Sequence, residues 1–250
     1  MKVTAISFFR ISTTAFFLSI AAFTAVAHTA VEPVPRDPNW VKRHEGFVEI
    51  AKQGGVDVLF LGDSITDFWR REDKNQGGKP VWDKNFAPLR AANFGISADR
   101  TQHVLWRLDH GELDGIKPKV VVLMIGTNNT GLERGTATPR NTTAEAAEGV
   151  VAVVKTLRTK LPASKILLLA IFPRGESPDD PQRKQVAEIN TTLAKLADGK
   201  AIRFLDLGPK FLAADGTLPK EIMPDFLHPS EKGYEIWAAA IKQPLAQMLQ

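Results

Sequence analysis

Ser64 closes the stretch "VLFLGDSIT", Val58 to Thr66, where a run of large aliphatic residues gives way to Gly62, Asp63 and Ser64. A hydroxyl placed where a strand passes into a helix projects from the edge of a sheet, with its own backbone N–H turned toward a bound acyl oxygen. Serine is a poor nucleophile unless a base takes its proton. The histidine best placed for that is His228 in "PDFLHPS": Asp225 precedes it by three residues, and Pro229 biases it away from helical geometry. An aspartate that accepts from one imidazole nitrogen fixes the tautomer and leaves the other nitrogen to work on Ser64. A tetrahedral intermediate also needs donors aimed at its oxyanion, and the Ser64 N–H, the Gly95 N–H and the Asn128 side-chain amide are the candidates. Taken singly, each residue has a plainer reading: Asp63 or Ser64 as a helix cap, Gly95 as a tight turn, Asn128 as a loop cap, Asp225 and His228 as a solvated pair. Their conjunction points to acyl transfer.

These side chains meet only if the chain folds so that they converge. Short apolar runs occur at Val56–Leu61, Ala91–Phe94, Val120–Ile125, Ile166–Phe172 and Ile202–Leu205, each bounded by Gly, Pro or charged residues. Between them, helical spacing marks Arg100–Leu108, Thr142–Leu161, Pro181–Ala197 and Glu231–Leu249. A further helix is expected over Asn39–Lys52, opened by Asp37 as cap and Pro38 at its first position and ended by Gly54-Gly55. Strands alternating with helices predict an α/β fold with a mostly parallel five-stranded sheet covered on both faces. Ligands of such sheets bind beyond the carboxyl ends of the strands. Gly62-Asp63-Ser64, Gly95 and Gly126-Thr127-Asn128 all fall there. The stretch "RREDKNQGGKP", Arg70 to Pro80, is the most loop-like interior segment and is expected to form a mobile flap near that rim.

Composition narrows the function classes. The 32 Lys and Arg nearly balance 28 Asp and Glu, and the charges are interspersed, so there is no basic stripe for nucleic acid and no polybasic patch for a membrane surface. With no cysteine there is neither a disulfide framework nor a thiol for a lipid anchor, and with five histidines no zinc site of the usual ligands is expected, so no metal or cofactor is assigned. Lys2 and Arg10, the apolar stretch Ile11–Val26 and the small-x-small Ala25-Val26-Ala27 read as an export signal over residues 1–27. Its core is short for a bilayer span, so no stable membrane anchor is expected, and the mature protein is expected to be periplasmic or secreted. Residues 28–38, with Pro33, Pro35 and Pro38, read as an extended arm, and residues 39–250 as one domain. His44, His103, Trp106 and His110 have no acid at convincing spacing and are read as packing residues, and His28 as part of the cleavage region. Asn141-Thr142-Thr143 has the form of a glycosylation sequon.

"GDSIT" with Ser64, "NFGIS" with Gly95, "GTNN" with Asn128 and "DFLH" with Asp225 and His228 resemble, in order, the four blocks of the SGNH or GDSL hydrolase superfamily. Within it, "VDVLFLGDSIT", "NFGISADRTQHVLWRLDHGELDGIKPKVVVLMIGTNN" and "FPRGESP" are similar to the catalytic-subunit family of platelet-activating-factor acetylhydrolase, over roughly Asn39 to Leu249. The resemblance implies a flavodoxin-like three-layer α/β/α sandwich and a metal-free serine esterase that releases small acyl groups, acetyl first among them. It leaves homodimers open, and it sets Asp63 and Arg174 around the reacting residues rather than among them. The export signal and the Arg70–Pro80 stretch depart from that family, so a glycan ester is as fitting a substrate as a small-molecule or phospholipid one. Two alternatives stay open: a lysophospholipase or thioesterase working on longer acyl chains, and a non-catalytic protein that binds glycans or lipids on the same fold.

Overall fold

The computed structural model describes Met1 and residues 28–250. The expected export signal lies outside the described residues. In chain order the main elements are α1 (Pro38–Gln53), β1 (Val58–Gly62), α2 (Ser64–Asp67), α3 (Lys79–Asn85), β2 (Ala91–Gly95), α4 (Thr101–Asp109), β3 (Val120–Met124), α5 (Thr143–Lys160), β4 (Lys165–Leu169), α6 (Pro181–Leu193), β5 (Ile202–Leu205) and α7 (Glu231–Leu249). All five strands are parallel, in the order β2-β1-β3-β4-β5.

The apolar runs are continuous because both faces of the sheet are covered, and alternate residues serve different cores. Leu59 and Leu61 of β1, Val121 and Leu123 of β3, and Ile166 and Leu168 of β4 pack with Phe47, Val104, Val150, Val153 and Ile189 from α1, α4, α5 and α6. Val58, Phe60, Val120, Val122, Leu167 and Leu169 point the other way, onto Val81, Tyr234, Trp237 and Ile241 from α3 and α7 and onto Trp69. The result is a three-layer α/β/α sandwich. Helix ends follow local chemistry: the Asp37 carboxylate accepts from Asn39 N and Trp40 N, and the Thr142 and Glu145 side chains cap α5 reciprocally.

Two expectations are refined. The Pro-rich arm lies on the domain: Thr101 Oγ1 donates to Ala30 O at 2.7 Å, and Arg36 reaches Ser97 O at 2.7 Å. The Arg70–Pro80 stretch is docked rather than free. Arg70 ends a 3₁₀ turn, Lys79 and Pro80 open α3, and between them Gly78 N bonds Phe68 O at 3.1 Å while Glu231 N bonds Lys74 O at 3.0 Å. A Cβ on Gly78 would sit 2.6 Å from both Trp69 and Tyr234, so the aromatic layer holds the segment down. Asn141 of the sequon is buried, its amide donating to Thr29 Oγ1. No helix of the described residues is long and apolar enough to cross a membrane.

Candidate active site

The strand ends lie level, with Gly62 in register with both Gly95 and Met124. Directly after Gly62 the chain reverses into α2, which Asp63 caps by accepting from Ile65 N at 3.0 Å. That reversal requires glycine at 62, since a Cβ there would lie 2.3 Å from Thr66 Oγ1 and 2.4 Å from Met124 O. Ser64, the first residue of α2, is 7% exposed. Its Oγ is 2.8 Å from His228 Nε2, and His228 Nδ1 is 2.6 Å from Asp225 Oδ2. The other Asp225 oxygen accepts from His228 N at 2.7 Å and Leu227 N at 3.1 Å. Burial would raise the Asp225 carboxyl, but the hydrogen bonds from the His228 ring and from these two backbone groups outweigh it and hold the pKa at about 2. The ring stacks on Phe68 at 4.7 Å, and Ser230, two residues on, caps α7, so the loop is braced from both sides.

Gly95 does something other than the sequence suggested. Its N–H donates to Asn93 Oδ1 at 2.9 Å, so that donor is spent, and a Cβ at this position would come 2.4 Å from Asp67 N and 2.8 Å from Thr66 C. Glycine here lets α2 lie against the end of β2. The free donor is three residues further on. Ile96 to Asp99 form a turn closed by Asp99 N to Ile96 O at 3.2 Å, with Ala98 at φ 66°, the left-handed position of such turns. Ala98 is exposed, and its N–H has no partner among the described residues. A backbone donor carries no side-chain signature, so residue types could not reveal it. Asn128 lies on the 3₁₀ turn after β3; its Nδ2 donates to Asp99 O at 2.9 Å, which orients the amide and leaves its second N–H open.

Asp63 is 1% exposed, and its Oδ2 has no partner; burial raises its pKa to about 7 against the hydrogen bond from Ile65 N and the charge of His228. Arg174 Nη1 donates to Thr127 O and Oγ1, both at 3.1 Å. Sequence spacing also missed a buried chain of charge. Asp99 Oδ2 is 3.0 Å from Arg107 Nε, Arg107 Nη1 is 2.7 Å from Glu112 Oε1, and Glu112 Oε2 is 3.1 Å from His44 Nδ1. His44 therefore does have an acid, 68 residues away in the chain. Trp40 Nε1 donates to Asp99 Oδ1 at 2.7 Å. His103 Nδ1 lies 3.9 Å from Asp99 Oδ1 but accepts from Arg100 N, and burial among Arg36, Arg100 and Arg107 drops its pKa to about 3. Among the described residues, no three His, Cys, Asp or Glu side chains group as a metal site.

A hydroxyl against an imidazole against a carboxylate, at a rim with free amide donors, is equipped for acyl transfer. Residues 60–236 match the GDSL-like Lipase/Acylhydrolase family. The chain belongs to that family. It is 38% identical over 229 residues to platelet-activating factor acetylhydrolase IB subunit alpha2 of Rattus norvegicus, covering 90% of this chain and 89% of the relative. It is 36% identical over 222 residues to the alpha1 subunit of Homo sapiens, covering 88% and 89%. Among solved structures, a GDSL-like lipase from Bacteroides thetaiotaomicron superposes with a TM-score of 0.61 at 20% identity, over 84% of this chain and 96% of that one. Axe2, an acetylxylan esterase from Geobacillus stearothermophilus, gives 0.58 at 22%, over 78% and 94%. The family membership makes this GDSL protein a hydrolase that acts on esters, and the two structures share its fold.

Proposed function

We propose that this GDSL hydrolase releases small acyl groups, acetyl foremost, through a covalent acyl-enzyme on Ser64. The observation that carries the reading is the unbroken contact from Asp225 through His228 to Ser64, at 2.6 and 2.8 Å. Ser64 Oγ attacks the ester carbonyl as His228 Nε2 takes its proton, and Asp225 steadies the imidazolium. The oxyanion is held by the Ser64 N–H, the Asn128 amide and, in place of Gly95, the Ala98 N–H. Collapse of the intermediate expels the alkoxide, which His228 protonates; water then repeats the cycle to free the acid. The acetyl preference is supported by what the relatives' names say of them, acetylhydrolase in one group and acetylxylan esterase in another.

A p-nitrophenyl ester series from acetyl to long chains, run on wild type and Ser64→Ala, tests this reading. Activity is expected to peak at the short end and to vanish in Ser64→Ala, along with labelling by a fluorophosphonate probe. Labelling that survives the substitution overturns the role of Ser64, and a maximum at long chains overturns the acyl preference. The basic and apolar opening segment supports action outside the cytoplasm. Cell fractionation, with sequencing of the mature N-terminus near His28, checks that.

A further inference from the structure

The loop after β4 brings an arginine to the rim and leaves half of it unused. Pro173-Arg174-Gly175 is fixed from two sides. Arg183 Nε on α6 donates to Arg174 O at 2.8 Å, and Gly175 N donates to Phe226 O at 2.9 Å, inside the loop that carries Asp225 and His228. The Arg174 side chain then crosses to the turn after β3, where Nη1 is shared by Thr127 O, Thr127 Oγ1 and, at 3.4 Å, Thr130 Oγ1. The segment is therefore tied to the histidine loop through the Gly175 backbone and to the turn that holds Asn128 through the Arg174 guanidinium. The Arg174 Nε and Nη2 have no hydrogen-bond partner among the described residues, and neither nitrogen is fully buried. Those two N–H groups form the edge that meets a carboxylate or phosphate with two parallel hydrogen bonds.

No carboxylate answers that edge. Other arginines of the fold differ: Arg100 is paired with both oxygens of Glu133, Arg70 with Asp67, and Arg183 is filled by backbone carbonyls. The acids within electrostatic reach of Arg174 make no hydrogen bond to it. Asp180 caps α6, Asp225 holds His228, and Asp63 is buried with its pKa near 7. Arg140, whose Nη1 donates to Asn128 O, adds a second positive charge on the same rim. Burial lowers the Arg174 pKa against the pull of Asp180, which marks a cation that a matching anion would relieve.

We propose that Arg174 is a recognition fork, beside the oxyanion site, for a carboxylate or phosphate group carried by the ester substrate. The proposal rests on the esterase reading and narrows it to anionic esters, whether an acidic sugar or a phosphorylated alcohol supplies the charge. The probes are two matched pairs: 3-acetoxybenzoate against its methyl ester, and acetylglycerol phosphate against monoacetylglycerol. Wild type is expected to favour the charged member of at least one pair, with the preference shrinking as salt is raised. The pair that shows it identifies the carboxylate or the phosphate source. Arg174→Gln is expected to cut the charged-to-neutral ratio of kcat/KM by roughly ten- to a hundredfold, as loss of a charge-assisted fork does, and Arg174→Lys to restore part of it. Equal ratios in wild type and in a folded Arg174→Gln, with all esters hydrolysed, overturn the fork and leave the esterase reading standing. Hydrolysis of none of the four esters by wild type overturns both. If Arg174→Gln does not fold, the salt dependence of the wild-type ratio decides, and a ratio flat with salt refutes the fork.

Discussion

Ala98 occupies a conformation that costs a residue other than glycine about 1–2 kcal/mol. The turn that imposes it leaves the Ala98 N–H unpaired among the described residues, next to Asp99, whose carbonyl accepts from Asn128. Ala98→Gly is expected to keep the activity and to raise stability by up to about 1 kcal/mol in urea unfolding, after glycine's own entropy is counted. Ala98→Val, stiff and β-branched, is expected to lower kcat by displacing the turn. Asn128→Ala is expected to remove about 2.7–4 kcal/mol of transition-state stabilisation, read as kcat against a p-nitrophenyl acetate standard; an unchanged kcat excludes the amide from the oxyanion site. At Asp225 the substitution to Asn reverses a hydrogen bond. The ring nitrogen that now donates to the carboxylate would face an amide, the wrong tautomer would be favoured, and kcat is expected to fall by about 10⁴.

At the scale of elements, α2 and the Ala98 turn are one unit. Asp67, three residues past Ser64, accepts from Ser97 N at 3.1 Å and from Ser97 Oγ at 2.7 Å, while its other oxygen takes Arg43 and Arg70, each at 2.5 Å. Arg70 in turn covers the outer carbonyls of Asn93 and Gly95 on the edge strand β2. Asp67→Ala is therefore expected to lower kcat with little change in KM, because it loosens the relation between hydroxyl and oxyanion donors rather than substrate binding. A rise in KM alone would refute that coupling. This tie also shows where the sequence stopped being legible. The strands could be read because two-sided burial writes continuous apolar runs, and Ser64, Asp225 and His228 stood out because strand-end chemistry and an acid three residues from a histidine are local signals. Gly95 could not be resolved, since a glycine at a strand end fits a donor and a close approach equally. Asp67 to Ser97 and His44 to Glu112 could not be read at all, because nothing local distinguishes a partner 30 or 68 residues away.

Over the whole molecule, the core contains charge as well as hydrocarbon. Arg107 is fully buried between Asp99 and Glu112, and Asp99 O is the acceptor that orients Asn128. Arg107→Leu would strand two carboxylates and is expected to cost about 3–5 kcal/mol in denaturant unfolding. Asp63 gives a pH signature. Its folded pKa, about 7, lies above the ordinary 3.8, so native protein keeps a proton that unfolded chain has lost between those values. The contribution is full below about pH 4 and is lost as pH rises toward 7, at up to about 1.4 kcal/mol per pH unit. Asp63→Asn, which can still cap α2, is expected to gain on wild type across that range, and a constant difference between pH 4.5 and 7.5 would contradict it. Finally, His228 sits just ahead of α7, the last element of the chain, which packs across the aromatic layer beneath Ser64. On the proposed mechanism Ser64 is disarmed whenever α7 comes away from that layer. Hydrolysis should therefore fade in mild urea before the ellipticity of the parallel sheet does, so that a partly opened molecule is silent rather than indiscriminate.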